Sequence, residues 1–367
     1  MAKIKIKPWI ASLPEYVPGG TIEDIKEKYN LKEVFKLASN ENIFGPSSKV
    51  IEYFKNGLSD INYYPDSYCR QLRKKISTKL EVSGDSIIFG NGTDQIIEMI
   101  CDAILEEGKN IVIPHPTFLT YEKSAMKNRA EILRVPLSDF RQDIKAITQK
   151  ADKNTAIIFL TSPHNPTGTI ITSEEIEYIL ENISNDVLIV LDEAYAEFMP
   201  NENKINSIQY LKKYDNLLLL RTFSKIYGIA GLRIGYGIGN EEVISNITKL
   251  MQPFVVNSIA QTAAMISLED DENINKNIEI IISEREKLCR RLESEKIDFV
   301  KSYANFILIK SGNKSNEFSE ELMKKGFMVR NGEFLGFPGF IRVSLSLSEI
   351  NEKFSEVFIE LFKKFNN

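Results

Sequence analysis

The chain is poor in the residues that most often carry proton and metal chemistry. Its 367 residues include two histidines, His115 and His164, and three cysteines, Cys69, Cys101 and Cys289. So few histidines exclude a histidine-rich metal centre and disfavour a Ser-His-Asp hydrolase. The cysteines are widely spaced and fit reduced cytosolic thiols better than a disulfide frame or a zinc site. No apolar run reaches the ~20 residues that a membrane-crossing helix needs. The opening Met1-Ala2-Lys3-Ile4-Lys5-Ile6-Lys7-Pro8 is basic but lacks the apolar core of a signal peptide. A net charge of -5 leaves no basic footprint for nucleic acid. The expectation is a cytoplasmic protein working on small molecules, with no metal, membrane or nucleic-acid partner. If it is an enzyme, a group other than histidine moves the proton.

What is present starts with length, which exceeds one comfortable core and suggests about two domains. Residues 1–38 read as an arm, because Pro8, Pro14, Pro18 and Gly19-Gly20 break any long element. Tyr16 lies inside that stretch. A short helix follows over 21–29, capped by Thr21 with Asp24 three residues on. Ser39-Asn40-Glu41-Asn42-Ile43-Phe44-Gly45-Pro46 and Tyr63-Tyr64-Pro65-Asp66 read as polar turns. From about residue 86 apolar strands alternate with helical patterns. Strands near 86–89, 110–113, 155–160, 187–191 and 217–220 are continuous apolar runs, and helices such as Ser173–Asn182 separate them. That alternation indicates a parallel sheet covered on both faces. After Pro253 one long helix is expected over 258–294. A smaller α+β unit follows, with strands near 306–309 and 341–346 and a helix over 317–325. The implied division is an arm (1–38), a large domain (39–255), and a linking helix with a small domain (256–367).

The unusual polar residues gather where these strands end. Asn165, Asp192, Tyr195 and Lys225 each follow a strand's C-terminal end, the edge at which open α/β sheets bind ligands. Gly90-Asn91-Gly92-Thr93-Asp94 opens a helix whose N–H groups could face an anion. Lys225 sits just past a buried strand, where desolvation lowers an amine's pKa and frees it as a nucleophile toward carbonyls. Arg233, eight residues on, adds a fixed positive charge. Arg342 falls inside the last strand, where an alternating pattern could simply turn it to water.

Together the set calls for a ligand with a carbonyl, a phosphate and a planar ring bearing a basic nitrogen. Lys225 supplies a Schiff-base amine and, once displaced, a general base. Arg233 and the Gly92–Thr93 turn meet a phosphate, Asp192 holds a ring nitrogen protonated, and Tyr195 and Asn165 donate to a ring oxygen. That outline is a pyridoxal phosphate site.

The chain resembles the fold-type-I pyridoxal phosphate enzymes, within them the class II aminotransferases, and among those the histidinol-phosphate aminotransferases. The resemblance runs through the Tyr16-Val17-Pro18-Gly19 arm, Leu37-Ala38-Ser39-Asn40-Glu41-Asn42, Tyr64-Pro65-Asp66, Gly90-Asn91-Gly92-Thr93-Asp94, Asn165-Pro166-Thr167-Gly168, Asp192-Glu193-Ala194-Tyr195, residues 221–225 and Gly231-Leu232-Arg233. It implies a large domain built on a mostly parallel seven-stranded sheet between helices, plus a smaller α+β domain. It implies a homodimer with a shared site, in which Tyr64 reaches the phosphate of the partner's cofactor. Thr222 and Asp94 join the cofactor set, and Phe118 stacks on its ring. Arg342, Arg330, Tyr16 and Asn42 fall at the substrate, where the arginines and Tyr16 hold its phosphate. The implied reaction is reversible amino transfer from L-histidinol phosphate to 2-oxoglutarate in histidine biosynthesis, giving imidazole-acetol phosphate and L-glutamate. Phe118, His164, Gln95 and Ile43 depart from the group's usual residues and bear on substrate preference. An aromatic amino-acid aminotransferase and a threonine-phosphate decarboxylase are the alternatives. A non-catalytic regulator would need an added DNA-binding domain. For a dinucleotide site, Gly235-Tyr236-Gly237-Ile238-Gly239-Asn240 has asparagine at the third glycine.

Overall fold

The computed structural model describes residues 4–13, 20–57 and 61–366. A seven-stranded sheet organises the larger part. Its spatial order is Ile87–Gly90, Gly235–Gly239, Leu217–Thr222, Leu188–Asp192, Thr155–Thr161, Asn110–His115 and Glu131–Pro136. Only Gly235–Gly239 runs against its neighbours. The central strands are buried along their length, which is why they read as unbroken Ile, Val and Leu. Each such side chain removed from water contributes about 1.5–3 kcal/mol. One core lies beneath Thr93–Ile104 and Leu119–Lys127, a second beneath Ile144–Lys150 and Ser173–Asn182 on the opposite face.

The smaller unit is a four-stranded antiparallel sheet ordered Arg330–Asn331, Phe340–Ser344, Phe306–Lys310, Phe299–Val300. Ser315–Lys324 and Ser348–Asn366 pack on it through Phe318, Phe354 and Phe358. Phe35–Lys36 pairs in parallel with Phe327–Met328 and so ties the N-terminal segment to this unit. The helix Ile22–Tyr29 begins as its sequence dictates, with Thr21 and Asp24 closing a reciprocal cap.

Two elements differ from expectation. The single helix over 258–294 is two, Ser258–Ser267 and Asp271–Ser294. Glu269, Asp270, Asp271 and Glu272 cluster at the break, and acidic groups favour the start of a new helix over the interior of an old one. Lys49 holds Asp270 at 2.8 Å, while Lys79 donates to the Leu268 carbonyl at 3.0 Å and satisfies the ended helix. The glycine-rich run after Arg233 is the antiparallel strand Gly235–Gly239. A Cβ on Gly235 would lie 2.8 Å from the Thr93 nitrogen, so glycine here lets the strand pass beneath a helix start.

Candidate active site

The C-terminal ends of the parallel strands converge on a cavity of about 120 Å³. Thr93, Asp94, Phe118, Asn165, Asp192, Tyr195, Thr222, Lys225 and Arg233 all line it. A wider cavity of about 550 Å³ opens beside it, and Phe118, Asn165, Tyr195 and Lys225 line both. Arg330 and Arg342 line the wider one.

Asp192 ends its strand at the floor. Burial pushes its carboxyl up to about 6, partly offset by the Tyr121 hydroxyl donating at 2.7 Å and the Ala194 N–H at 3.0 Å. A buried carboxyl with so little compensation is matched to a cationic partner. Glu193, next along, is buried and pairs with Arg221 Nε at 2.9 Å. That pair fastens the ends of the two strands that deliver Asp192 and Thr222. Lys225 lies three residues past its strand and is half-buried rather than sealed. Its ammonium donates to the Ser39 carbonyl at 3.2 Å and stands 5.3 Å from the Tyr195 ring centre. The Tyr195 hydroxyl accepts from Asn40 Nδ2 at 3.1 Å, which leaves its own hydrogen to donate.

The anion cradle is built on Gly92. With φ +78 it turns the chain into the helix Thr93–Ile104, and a Cβ there would collide with the Arg233 guanidinium. Arg233 itself is held by Asp94 at 3.1 Å, and Asp94 accepts from Thr120 at 3.1 Å. Ser224 and Thr222 stand alongside, with the Ser224 N–H on the Thr222 hydroxyl at 3.0 Å. Cationic guanidinium, helix N-terminus and hydroxyls together suit a phosphate. Gly92→Ala is therefore expected to displace Arg233 and weaken phosphate-bearing ligands at least tenfold, checked by equilibrium titration.

Arg342 is buried, not turned to water. It donates to Asn165 Oδ1 at 2.6 Å and to the Ala38 carbonyl at 2.8 Å. Arg330 is its direct cross-strand partner in an antiparallel pair. Like charges placed opposite one another are unfavourable unless an anion joins them.

Two expected residues, Asn42 and the Tyr64 assigned to the partner's site, do not line these cavities. The Asn42 amide donates to the Ile226 carbonyl at 2.7 Å and accepts the Phe44 N–H at 3.0 Å, so it braces its loop and is not among the residues around either cavity. Tyr64 is 82% exposed, stacked on Phe254 at 4.4 Å between ring centres, and lines neither cavity. Tyr16 lies outside the described residues. Tyr121, absent from the sequence reading, is fully buried against Asp192 and Thr161. Its only sequence signal was its place one turn beyond Phe118. Among the departures, burial pushes the His164 imidazole down to about 3, so it stays neutral, and it pairs with the Thr167 hydroxyl at 2.9 Å. Gln95 Oε1 accepts from the Asn91 N–H at 2.7 Å and shapes the glycine turn. Among the described residues no cluster fit for a metal ion occurs, and no helix is long and apolar enough to cross a membrane.

Residues 32–355 match the model of the family aminotransferase class I and II. The chain is 39% identical to a histidinol-phosphate aminotransferase of Geobacillus sp. (strain WCH70), covering 98% of this chain and 99% of that protein. It is 38% identical to one of Halalkalibacterium halodurans over 95% of each. Among solved structures, the histidinol-phosphate aminotransferase of Sinorhizobium meliloti in complex with pyridoxal-5'-phosphate superposes with a TM-score of 0.89, at 23% identity and 99% coverage of both chains. That structure shares the fold. The seven-stranded sheet, the cavity at its strand ends and the family match agree: this chain belongs to the class I and II aminotransferases.

Proposed function

We propose that the chain is a pyridoxal phosphate-dependent aminotransferase. It moves the amino group of L-histidinol phosphate to 2-oxoglutarate, reversibly, in histidine biosynthesis. The observation that carries the donor assignment is the cross-strand pair Arg330 and Arg342 facing the cavity beside Lys225. Two guanidinium groups exceed what a single α-carboxylate needs and suit a phosphate. The near full-length identity to named histidinol-phosphate aminotransferases supports the same choice.

The residues fit the cofactor. Arg233, Thr222, Thr93 and the Gly92 turn would hold its phosphate, Asp192 its ring nitrogen, and Asn165 and Tyr195 its ring oxygen. Phe118 would cover the ring face. Bound there, pyridoxal phosphate supplies an electron sink for the carbon that loses its proton. Lys225 Nζ would anchor the group and, as a free amine, would take up and return the proton at the substrate carbon. Asp192 would be held ionised by a ring cation, with the Tyr121 hydroxyl fixing its orientation. Arg342, tied to Asn165, would link the substrate anion to the ring-oxygen site, so that substrate binding and ring orientation would share one side chain. His164, held neutral, plays no part in proton transfer.

The enzyme works in the cytoplasm as a homodimer, divided into the arm (1–38), large (39–255) and C-terminal (256–367) segments. Tyr64, stacked and exposed on Phe254, supports a role at the partner's site. Tyr64→Phe is expected to weaken cofactor binding about tenfold, the worth of one hydrogen bond to a charged group. Unchanged affinity on titrating the apoenzyme would remove the shared site.

The assignment is tested by half-reactions of purified holoenzyme, followed through its visible absorption band. Fast conversion with histidinol phosphate and slow conversion with phenylalanine is the expected result. Preference for phenylalanine would make it an aromatic aminotransferase and return Arg342 to carboxylate binding.

A further inference from the structure

Besides Lys225, Arg330 and Arg342, the wider cavity is lined by a cation that the donor assignment does not use. Lys36 lines it together with Arg330 and Arg342. The strand Phe35–Lys36 places Lys36 beside Met328, two residues before Arg330, and Ala38 just beyond it accepts from Arg342. The three positive side chains therefore belong to neighbouring strands at one wall. Lys36 is paired with Glu41 at 2.7 Å. Both members of that pair are partly exposed, at 33% and 42%. Such pairs are weakly held and readily exchanged for a stronger anion.

We propose that Lys36 reads the second negative charge of the substrate phosphate, with Glu41 standing in for that charge while the cavity is empty. Two arginines satisfy a monoanion, as a carboxylate presents. A phosphate monoester dianion brings further charge and a third set of acceptor oxygens, which Lys36 meets when it leaves Glu41. Glu41 sits in the same short loop as Asn40 and Asn42, whose amides are bonded to Tyr195 and to the Ile226 carbonyl. The stand-in anion is thereby kept beside the cavity without lining it. This inference rests on the reading of the wall as a phosphate site.

The test is calorimetric titration of holoenzyme, its cofactor site filled, with inorganic phosphate and with acetate at pH 8. Lys36→Met is expected to weaken phosphate at least tenfold and acetate less than twofold. Glu41→Gln is expected to tighten phosphate about threefold, since the competing carboxylate is gone. If the pair were only a strut for its loop, both variants would lower the unfolding temperature alike and neither would separate the two anions. Phosphate affinity unchanged in Lys36→Met overturns the proposal, as does a wild-type protein that binds phosphate no better than acetate. The donor assignment falls separately, if wild-type holoenzyme prefers phenylalanine to histidinol phosphate.

Discussion

Lys225→Ala is expected to abolish turnover while the protein remains folded. On the proposed roles, the alanine would remove both the amine that anchors the cofactor and the base that moves the proton. General acid–base catalysis alone is worth 10²–10⁴-fold, so a loss of roughly 10³-fold or more is anticipated. The fold should survive because Lys225 is half-buried and contributes one side-chain hydrogen bond, to the Ser39 carbonyl. The core around it, with Phe223 and Ile226 on either side, is untouched. Steady-state rates with the phosphorylated donor, read alongside a thermal melt, check both halves. Activity near that of the unmodified enzyme would remove the site as described, and so would a holoenzyme without a visible band.

Asp192→Ala should be the next most damaging change. The carboxylate is buried at the end of its strand, where only the Tyr121 hydroxyl and the Ala194 N–H attend it. On the proposed role, removing it would leave a ring cation unmatched in a low-dielectric site, a loss comparable to deleting a transition-state electrostatic contact, about 10²–10³-fold in kcat. The same group sets a pH dependence. Burial raises its folded value from 3.8 to about 6. The sign follows from a raised acid: the empty protein is favoured by protonation, and its stability declines as pH climbs from about 4 to about 6. A cationic ring nitrogen needs the ionised form, so cofactor affinity should fall as pH drops through about 6. In Asp192→Asn that dependence should vanish, with affinity low throughout. Equilibrium titration of apoenzyme between pH 5 and pH 8 reads both, and a wild-type affinity flat across that window would contradict the role.

Much of this site was legible before any coordinates because strand ends are local features. Apolar runs ending in a polar residue mark both a buried strand and its exit. The exits of Thr155–Thr161, Leu188–Asp192 and Leu217–Thr222 lead to Asn165, Asp192 with Tyr195, and Lys225. The cap at Thr21 was equally local, needing only a residue and its neighbour Asp24 three positions on. Asn42 shows where a local reading ends. Its loop was read correctly, but which way its amide turns depends on Ile226, 184 positions away.

By itself, then, the sequence determined the parallel sheet, the helices between its strands and the edge at which the polar residues emerge, since periodicity and strand termini act over a few residues. Tertiary structure alone decided that Tyr121 braces Asp192 across 71 positions and that Arg342 reaches Asn165 across 177. It also decided that Gly235–Gly239 runs antiparallel, and that Arg330 faces Arg342 with Lys36 at the same wall. Those facts rest on strand order and register, which packing of distant segments selects and which no local pattern encodes.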